Sequence, residues 1–370
     1  MKILVVPSFF ITNYKSRELY RKINFIKNIL KLNIKSALYS FNEHLLSAEI
    51  LFYSEIGSII GQDNFYILGD LYDEYRKENI PLNTPYPSLH NKKINCNINF
   101  RDAITNIKNF DYIVVGINSG NYGKKIKNLG IRYQIPVTVI DYFDHIFDHS
   151  SYDNKILFKE LEYKKDFNLF FKHDLPKNRQ DEIVKPLAPM PCEPKNYLIP
   201  NVFDKSIDIF FRGRNTPLAK KDRMIMLQYL KKNFSNSSIE IFENNTKLDF
   251  SHFDYSKKLS QSIIAFSPSG KTWDSTRHTE TGLFGCIPLI PRPDIDIVGN
   301  IDDMHNCLMY DPNKLESSEL GKLKEKITLV LKDKKTKDQL SKKWKDTVLE
   351  KHTLVSRSKY LVKELTKIKY

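Results

Sequence analysis

"SPSGKTWDSTRHTETGLFGCIPLI", residues 267–290, places three kinds of residue in one run: glycine and hydroxyls, then charge, then an apolar strand. Just upstream, Ile263–Phe266 is a short apolar run that reads as a buried strand and carries the chain to its carboxyl edge. Ser-Pro-Ser-Gly then turns it. Asp274 or Ser275 can cap a short helix over 276–284, and Gly285 is placed to end it. "CIPLIP" (286–291) is the strand that follows. A helix set between two apolar strands starts at the edge of a parallel sheet, so Arg277, His278 and Glu280 should stand at a cleft.

The chemistry of such a helix start suits phosphate, because unpaired backbone N–H groups and a partial positive charge meet there. Ser269 and Gly270 form the turn, and Gly270 permits close approach of the backbone to a ligand. Lys271 and Arg277 add charge, and Arg277 can grip a diphosphate through two N–H bonds. Ser275 lies at the same end of the helix. Glu280 lies one turn on from Arg277, on the same face, where a carboxylate can accept both hydroxyls of a ribose. An isolated R-x-x-E reads more simply as an i,i+3 salt bridge on a solvated helix. The Ser/Gly turn before it and the apolar Leu283–Phe284 after it favour the ligand site.

Working outward, the same strand–helix alternation fills the chain. Residues 2–7 read as a buried strand, 17–32 as a helix with one apolar stripe, 35–40 as a second strand and 43–80 as mostly helical. Then come a helix at 101–109, a strand at 111–117, a helix at 122–133, and strands at 136–143 and 167–173. The proline-rich "PLAPMPCEPKNYLIP" (186–200) breaks the pattern and marks a boundary. Beyond it lie strands at 206–214 and 237–243, helices at 218–233 and 255–262, and three amphipathic helices at 315–332, 334–349 and 353–368. Apolar strands alternating with helices imply parallel sheets covered on both faces. The expected architecture is α/β: two Rossmann-like domains, 1–195 and 196–350, facing a central cleft. Residues 351–370 form a terminal helix that can pack back on the first domain.

The chain has 370 residues, 41% hydrophobic and 28% charged, enough for two cores. Its net charge is +14. That charge suits nucleic acid, an anionic membrane surface or an acidic substrate, and equally a lysine-rich composition solvated all round. A nucleic-acid partner would need basic and aromatic residues clustered on one face, which the sequence does not display. The four cysteines form no CxxC pair, which argues against disulfides and a structural zinc. No run of 18 apolar residues occurs, so a cytoplasmic protein is expected, with peripheral membrane contact open.

Two further clusters carry chemistry. "FFRGRN" (210–215) places Arg212 and Arg214 where the first strand of the second half reaches the cleft, either as further phosphate ligands or as solvated strand-end arginines. "VIDYFDHIFDH" (139–149) crowds Asp141, Asp144, His145, Asp148 and His149 at the carboxyl end of a strand in the first half. Asp144 or His145 there can act as a general base, with Asp141 or Asp148 orienting the histidine. A metal site or a polar loop are the other readings, and the spacing fits no standard zinc scheme. Tyr255 and Trp273 can wall a base or simply pack, and "DID" (294–296) reads as a loop beside the pocket.

Residues 266–290 resemble the donor-site region of GT-B glycosyltransferases, in particular the exostosin-like and bacterial family-1-like groups. Ser275, Arg277, Glu280, Gly285, Cys286 and Pro288 carry the match, and Thr281 and Gly282 stand where that group usually has Ala or Leu. The resemblance implies a nucleotide-sugar held by the second domain through Arg212, Arg214, Ser269, Gly270, Lys271, Ser275, Arg277 and Glu280. It implies a glycan or lipid-linked glycan acceptor held by the first domain, and no bound metal ion or other cofactor. The expected function is sugar transfer from a nucleotide-diphosphate sugar, in bacterial surface polysaccharide synthesis. A nucleotide-sugar epimerase of the same fold, or a nucleic-acid-binding protein, are the rivals.

Overall fold

A computed structural model describes residues 1–6, 55–68, 98–116, 120–141, 167–173, 182–187, 204–215, 221–243, 252–270 and 275–368, with Tyr53, Leu175, Lys177 and Trp273. The first half is one six-stranded parallel sheet. In chain order its strands are β1 (Ile3–Val6), β2 (Phe65–Ile67), β3 (Tyr112–Gly116), β4 (Val137–Asp141), β5 (Leu169–Lys172) and β6 (Val184–Pro186). They lie side by side as β2-β1-β3-β4-β5-β6. All four residues of β1 are fully buried, and they divide by parity: Ile3 and Val5 enter one core, Leu4 and Val6 the other. A strand covered on both faces has no polar side to show, which is why these runs are continuously apolar. Helices α1 (Phe100–Thr105) and α2 (Gly120–Arg132) flank this sheet. Asn99 caps α1 by accepting the Asp102 N–H at 2.9 Å. Gly130 lets α2 lie close, since a Cβ there would meet Ile113 and Val137 at 2.8 Å.

The second half repeats the plan with five strands: β7 (Ile207–Asn215), β8 (Ser237–Glu243), β9 (Ser262–Phe266), β10 (Ile287–Pro291) and β11 (Leu308–Tyr310). Their order is β11-β10-β9-β7-β8, and each pairing is parallel. The helices here are α3 (Lys221–Asn233), α4 (His252–Ser260), α5 (Thr276–Leu283), α6 (Ser317–Lys332) and α7 (Lys334–Lys351). Helix α8 (Leu354–Leu365) crosses back. Its Leu354, Leu361 and Leu365 share a core with Ile3, Val5 and Phe171 of the first sheet. Burying each such leucine contributes about 1.5–3 kcal/mol. Loops of the two halves also join directly: Lys177 N–H donates to the Asp294 carbonyl at 3.3 Å, and Asp296 N–H to the Leu175 carbonyl at 2.6 Å.

Several sequence expectations change. Within 43–80, read as mostly helical, residues 65–67 form β2, whose apolar Phe65 and Ile67 are buried against β1. The short strands β6 and β11 were not anticipated. Arg212, Gly213 and Arg214 lie within β7 rather than in a turn beyond it, paired with Glu240–Phe242 of β8. The helix at 17–32 and the strand at 35–40 lie outside the described residues. Gly285, at φ 63°, ends α5 as its sequence position implied.

The candidate donor site

In an open parallel sheet, ligands sit beyond the carboxyl ends of the strands, where neighbouring strands lead off in opposite directions. In the second sheet that point lies between β7 and β9, because β7 leads to β8 on one side and β9 to β10 on the other. Residues 267–270 leave the sheet there, and α5 begins at Thr276. Ser269 is buried and Gly270 partly so.

One imidazole ties this loop to the helix. The Trp273 carbonyl can only accept, so His278 Nε2–H donates to it at 2.8 Å, and Nδ1 then accepts from the Ser267 hydroxyl at 2.7 Å. Burial holds the His278 pKa down to about 4, so the ring is neutral at pH 7. Trp273 packs on the same ring at 4.7 Å and donates its Nε1–H to the Pro291 carbonyl at 2.8 Å. His278, at 1% exposure, is therefore a staple for the turn and not a ligand. Behind α5, the Trp344 indole donates to Thr281 Oγ1 at 2.8 Å, and a Cβ on Gly282 would meet Val348 at 2.7 Å. Thr281 and Gly282 thus depart from the Ala/Leu pattern because α7 packs hard against this helix.

Ser275 is the N-cap residue by its extended backbone, with no side-chain cap bond. Arg277 stands in the first turn. Its Nη2–H donates to the Arg212 carbonyl at 3.0 Å, and its guanidinium lies 5.1 Å from the centre of the Phe211 ring. Its Nε is buried without a hydrogen-bond partner. Glu280, one turn on, accepts from the Tyr255 hydroxyl at 3.2 Å. Burial and the Glu280 charge both push that phenol's pKa up, so Tyr255 stays a donor.

Arg212 is placed otherwise than its sequence position suggested. Its guanidinium is held by Glu240 at 2.5 Å and Asp254 at 2.8 Å, so carboxylates already answer its charge. What it gives the site is its main-chain carbonyl. Burial opposes the Glu240 charge, but hydrogen bonds from Arg212 and Lys258 hold that carboxyl below its ordinary range. The side chains of Arg214 and Lys271 lie outside the described residues, as do Asp144 and His145.

Arg223 was missed. It sits in the first turn of α3 and donates to the Ser269 carbonyl at 2.6 Å. Burial and the nearby Arg277 charge both lower its pKa. A buried guanidinium, Arg223, and a half-buried one, Arg277, that repel each other beside a turn and a helix start can hold an anion. "KKDR" at the start of the helix after β7 was the only sequence signal. Next to this corner, a cleft of about 390 Å³ opens at the ends of β9, β10 and β11. In the first half, Asp141 and Lys172 pair at 2.7 Å, both buried, where β4 and β5 end. Among the described residues there is no group of three His, Cys, Asp or Glu that could hold a metal ion. Nor, among them, is any helix long and apolar enough to cross a membrane.

No family model matches the sequence, and no curated protein sequence matches it. Solved structures do match in fold. HepE of Anabaena, in complex with UDP, superposes over 100% of both chains with a TM-score of 0.52 at 8% identity. A glycosyltransferase from Rickettsia africae gives 0.52 at 10% identity over 87% of this chain and 95% of its own. Sucrose-phosphate synthase from Thermosynechococcus elongatus gives 0.51 at 9% identity over 86% and 92%. The chain has the GT-B fold of these enzymes: two Rossmann-like sheets, with α8 returning from the second to the first.

Proposed function

We propose that this protein is a glycosyltransferase that moves a sugar from a nucleotide-diphosphate sugar to a glycan or lipid-linked glycan, in the synthesis of a bacterial surface polysaccharide. The observation that carries the reading is the buried, unpartnered Nε of Arg277 at the start of α5, with Arg223 beside it at the switch point of the second sheet. The likeness in fold to HepE solved with UDP and with UDP-glucose supports the same reading.

In this reading the diphosphate lies on Ser269, Gly270 and Ser275, gripped by Arg277 and Arg223, with Lys271 and Arg214 as further cations. Glu280 takes the ribose hydroxyls. As the bond from sugar to phosphate breaks, negative charge grows on the leaving diphosphate. Fixed guanidiniums and the end of α5 stabilise it there without a metal ion. The acceptor enters from the first half. Asp144, ionised at neutral pH, takes the proton of the acceptor hydroxyl, with His145 as the alternative base. The exposed lysines of α6 and α7 suit an anionic membrane surface where a lipid-linked acceptor would be found.

The test is calorimetry with UDP, GDP and dTDP. One of them should bind, and Arg277→Ala should weaken that binding by about 1.5–3 kcal/mol, as expected for a charged hydrogen-bond partner. Undiminished affinity in the variant would remove the assignment. Transfer should also survive EDTA; loss on chelation with rescue by Mn²⁺ would bring in a metal instead.

A further inference from the structure

We infer that the cleft of about 390 Å³ at the ends of β9, β10 and β11 is the subsite for the transferred sugar, and that it selects a neutral or amino sugar over an acidic one. The inference rests on the glycosyltransferase reading and adds the class of donor.

The cleft shares a wall with the proposed phosphate corner. Ser269 lines it, and the carbonyl of the same residue accepts from Arg223. A sugar joined to a diphosphate held at that corner would therefore enter this space and not open solvent. The volume lies within the range of small-ligand sites, roughly 300–1,000 Å³. Trp273 supplies an apolar wall that cannot swing, because its indole N–H is bound to the Pro291 carbonyl and its ring lies on His278. An apolar wall on one side and polar groups on the other suit a pyranose, whose ring has an apolar C–H face and a rim of hydroxyls.

Selectivity follows from the sign of those polar groups. Asp222, Asp294 and Asp311 line the cleft against one cation, Arg292. Asp222 is fixed by the Tyr310 hydroxyl at 2.8 Å, and Asp311 by the Asn313 N–H at 3.0 Å. Carboxylates accept from sugar hydroxyls and attract an ammonium, whereas a uronate or ulosonate carboxylate would stand among like charges. Arg292 and Asp294 are both exposed and screened by water, so the half-buried Asp311 and the buried Asp222 set the sign of the cleft. Arg223 and Arg277, at the phosphate corner and not in the lining of the cleft, are engaged by the diphosphate in this reading.

The test compares UDP-glucose and UDP-glucosamine with UDP-glucuronate, and GDP-mannose with GDP-mannuronate. Each affinity is taken relative to that of the bare nucleoside diphosphate in the same protein. The neutral and amino donors should bind at least about ten-fold tighter than the acidic ones. The double variant Asp294→Asn/Asp311→Asn should narrow that gap at least about three-fold. If UDP or GDP binds but the acidic donors bind as tightly as the neutral ones, the inference fails and the glycosyltransferase reading stands. A gap that the double variant leaves unmoved also overturns it, because the carboxylates would not be its cause. If dTDP alone binds, the same comparison is made between dTDP-glucose and dTDP-glucuronate; if none of UDP, GDP and dTDP binds, the glycosyltransferase reading fails and takes this inference with it.

Discussion

The two sheets share one strand order around their switch points, yet the carboxyl edges seen in each hold their charges differently. In the first half, at the ends of β4 and β5, Lys172 and Asp141 answer each other across 2.7 Å in a buried pair. In the second half, at the ends of β7 and β9, Arg277 and Arg223 donate to backbone carbonyls at 3.0 and 2.6 Å. A carbonyl orients a guanidinium but does not neutralise it. In the proposed reading it is the Arg277 corner of the second edge that takes a mobile anion. Arg212 sharpens the contrast, because its carbonyl accepts from Arg277 while its own guanidinium is held by Glu240 and Asp254. Position at the cleft edge does not make an arginine a ligand: Arg212 answers two carboxylates, whereas Arg277 keeps a buried Nε without a hydrogen-bond partner.

The largest effect expected on this contrast is in the first half. Lys172→Ala should lower unfolding stability by about 3–5 kcal/mol, because it leaves a buried carboxylate short of its ion-pair partner. Replacing both, as Asp141→Leu/Lys172→Met, should recover much of that loss. Urea unfolding of the three variants checks it. A loss under 1 kcal/mol in Lys172→Ala would mean that the pair is solvated and the two edges are alike.

Acid should act on the staple of the second half. His278 is neutral when folded, with a pKa of about 4 against 6.5 unfolded, and burial likewise holds His352 well below its ordinary value. Below pH 6.5 the unfolded chain binds protons that the folded one refuses. The stabilising contribution is therefore complete above about pH 6.5 and is lost as pH falls toward 4. For His278 alone the loss is on the order of 3 kcal/mol. Urea midpoints at pH 7 and pH 5 measure it, and His278→Gln should flatten the slope. A flat profile in the native chain would place a charged imidazole in the loop. The Arg277→Ala effect on nucleotide affinity, about 1.5–3 kcal/mol, comes next in size.

Much of the second half could be read from the sequence because its signals are local. The apolar β9, the Ser/Gly turn, the short helix and Gly285 follow one another within 25 residues, and Arg277 and Glu280 fall out of helical spacing. What escaped depends on distant partners. β2 has three residues, and only burial against β1, about 60 positions away, makes Phe65–Ile67 a strand rather than a helix end. Arg212 reads in "RGR" as a cleft cation, and only the fold brings Glu240 of the neighbouring strand and Asp254 onto it. Arg223 reads as one more helical cation until the fold brings it to Ser269, 46 residues on. Lys172 reads as a strand end until Asp141 lies beside it.

The smallest effect tests whether Glu280 is poised or merely present. The Tyr255 hydroxyl donates to Glu280 Oε2 at 3.2 Å, and its ring packs against Phe210 at 5.8 Å. Burial keeps the phenol protonated, so this bond persists across the working pH range. A carboxylate that must meet two ribose hydroxyls at once needs a fixed rotamer, and the tyrosine supplies part of that constraint. Tyr255→Phe keeps the ring and its packing but removes the hydrogen bond, a change of about 0.5–1.5 kcal/mol. The loss should appear in the preference for UDP over 2′-deoxy-UDP, which should fall about two- to ten-fold, and much less in the melting temperature. Glu280→Gln serves as the reference, since it alters the ribose acceptor itself. Should Glu280→Gln change the preference while Tyr255→Phe does not, Glu280 is held by its other contacts. Should neither change it, the ribose lies elsewhere, and Arg277 alone would tie the nucleotide to this helix.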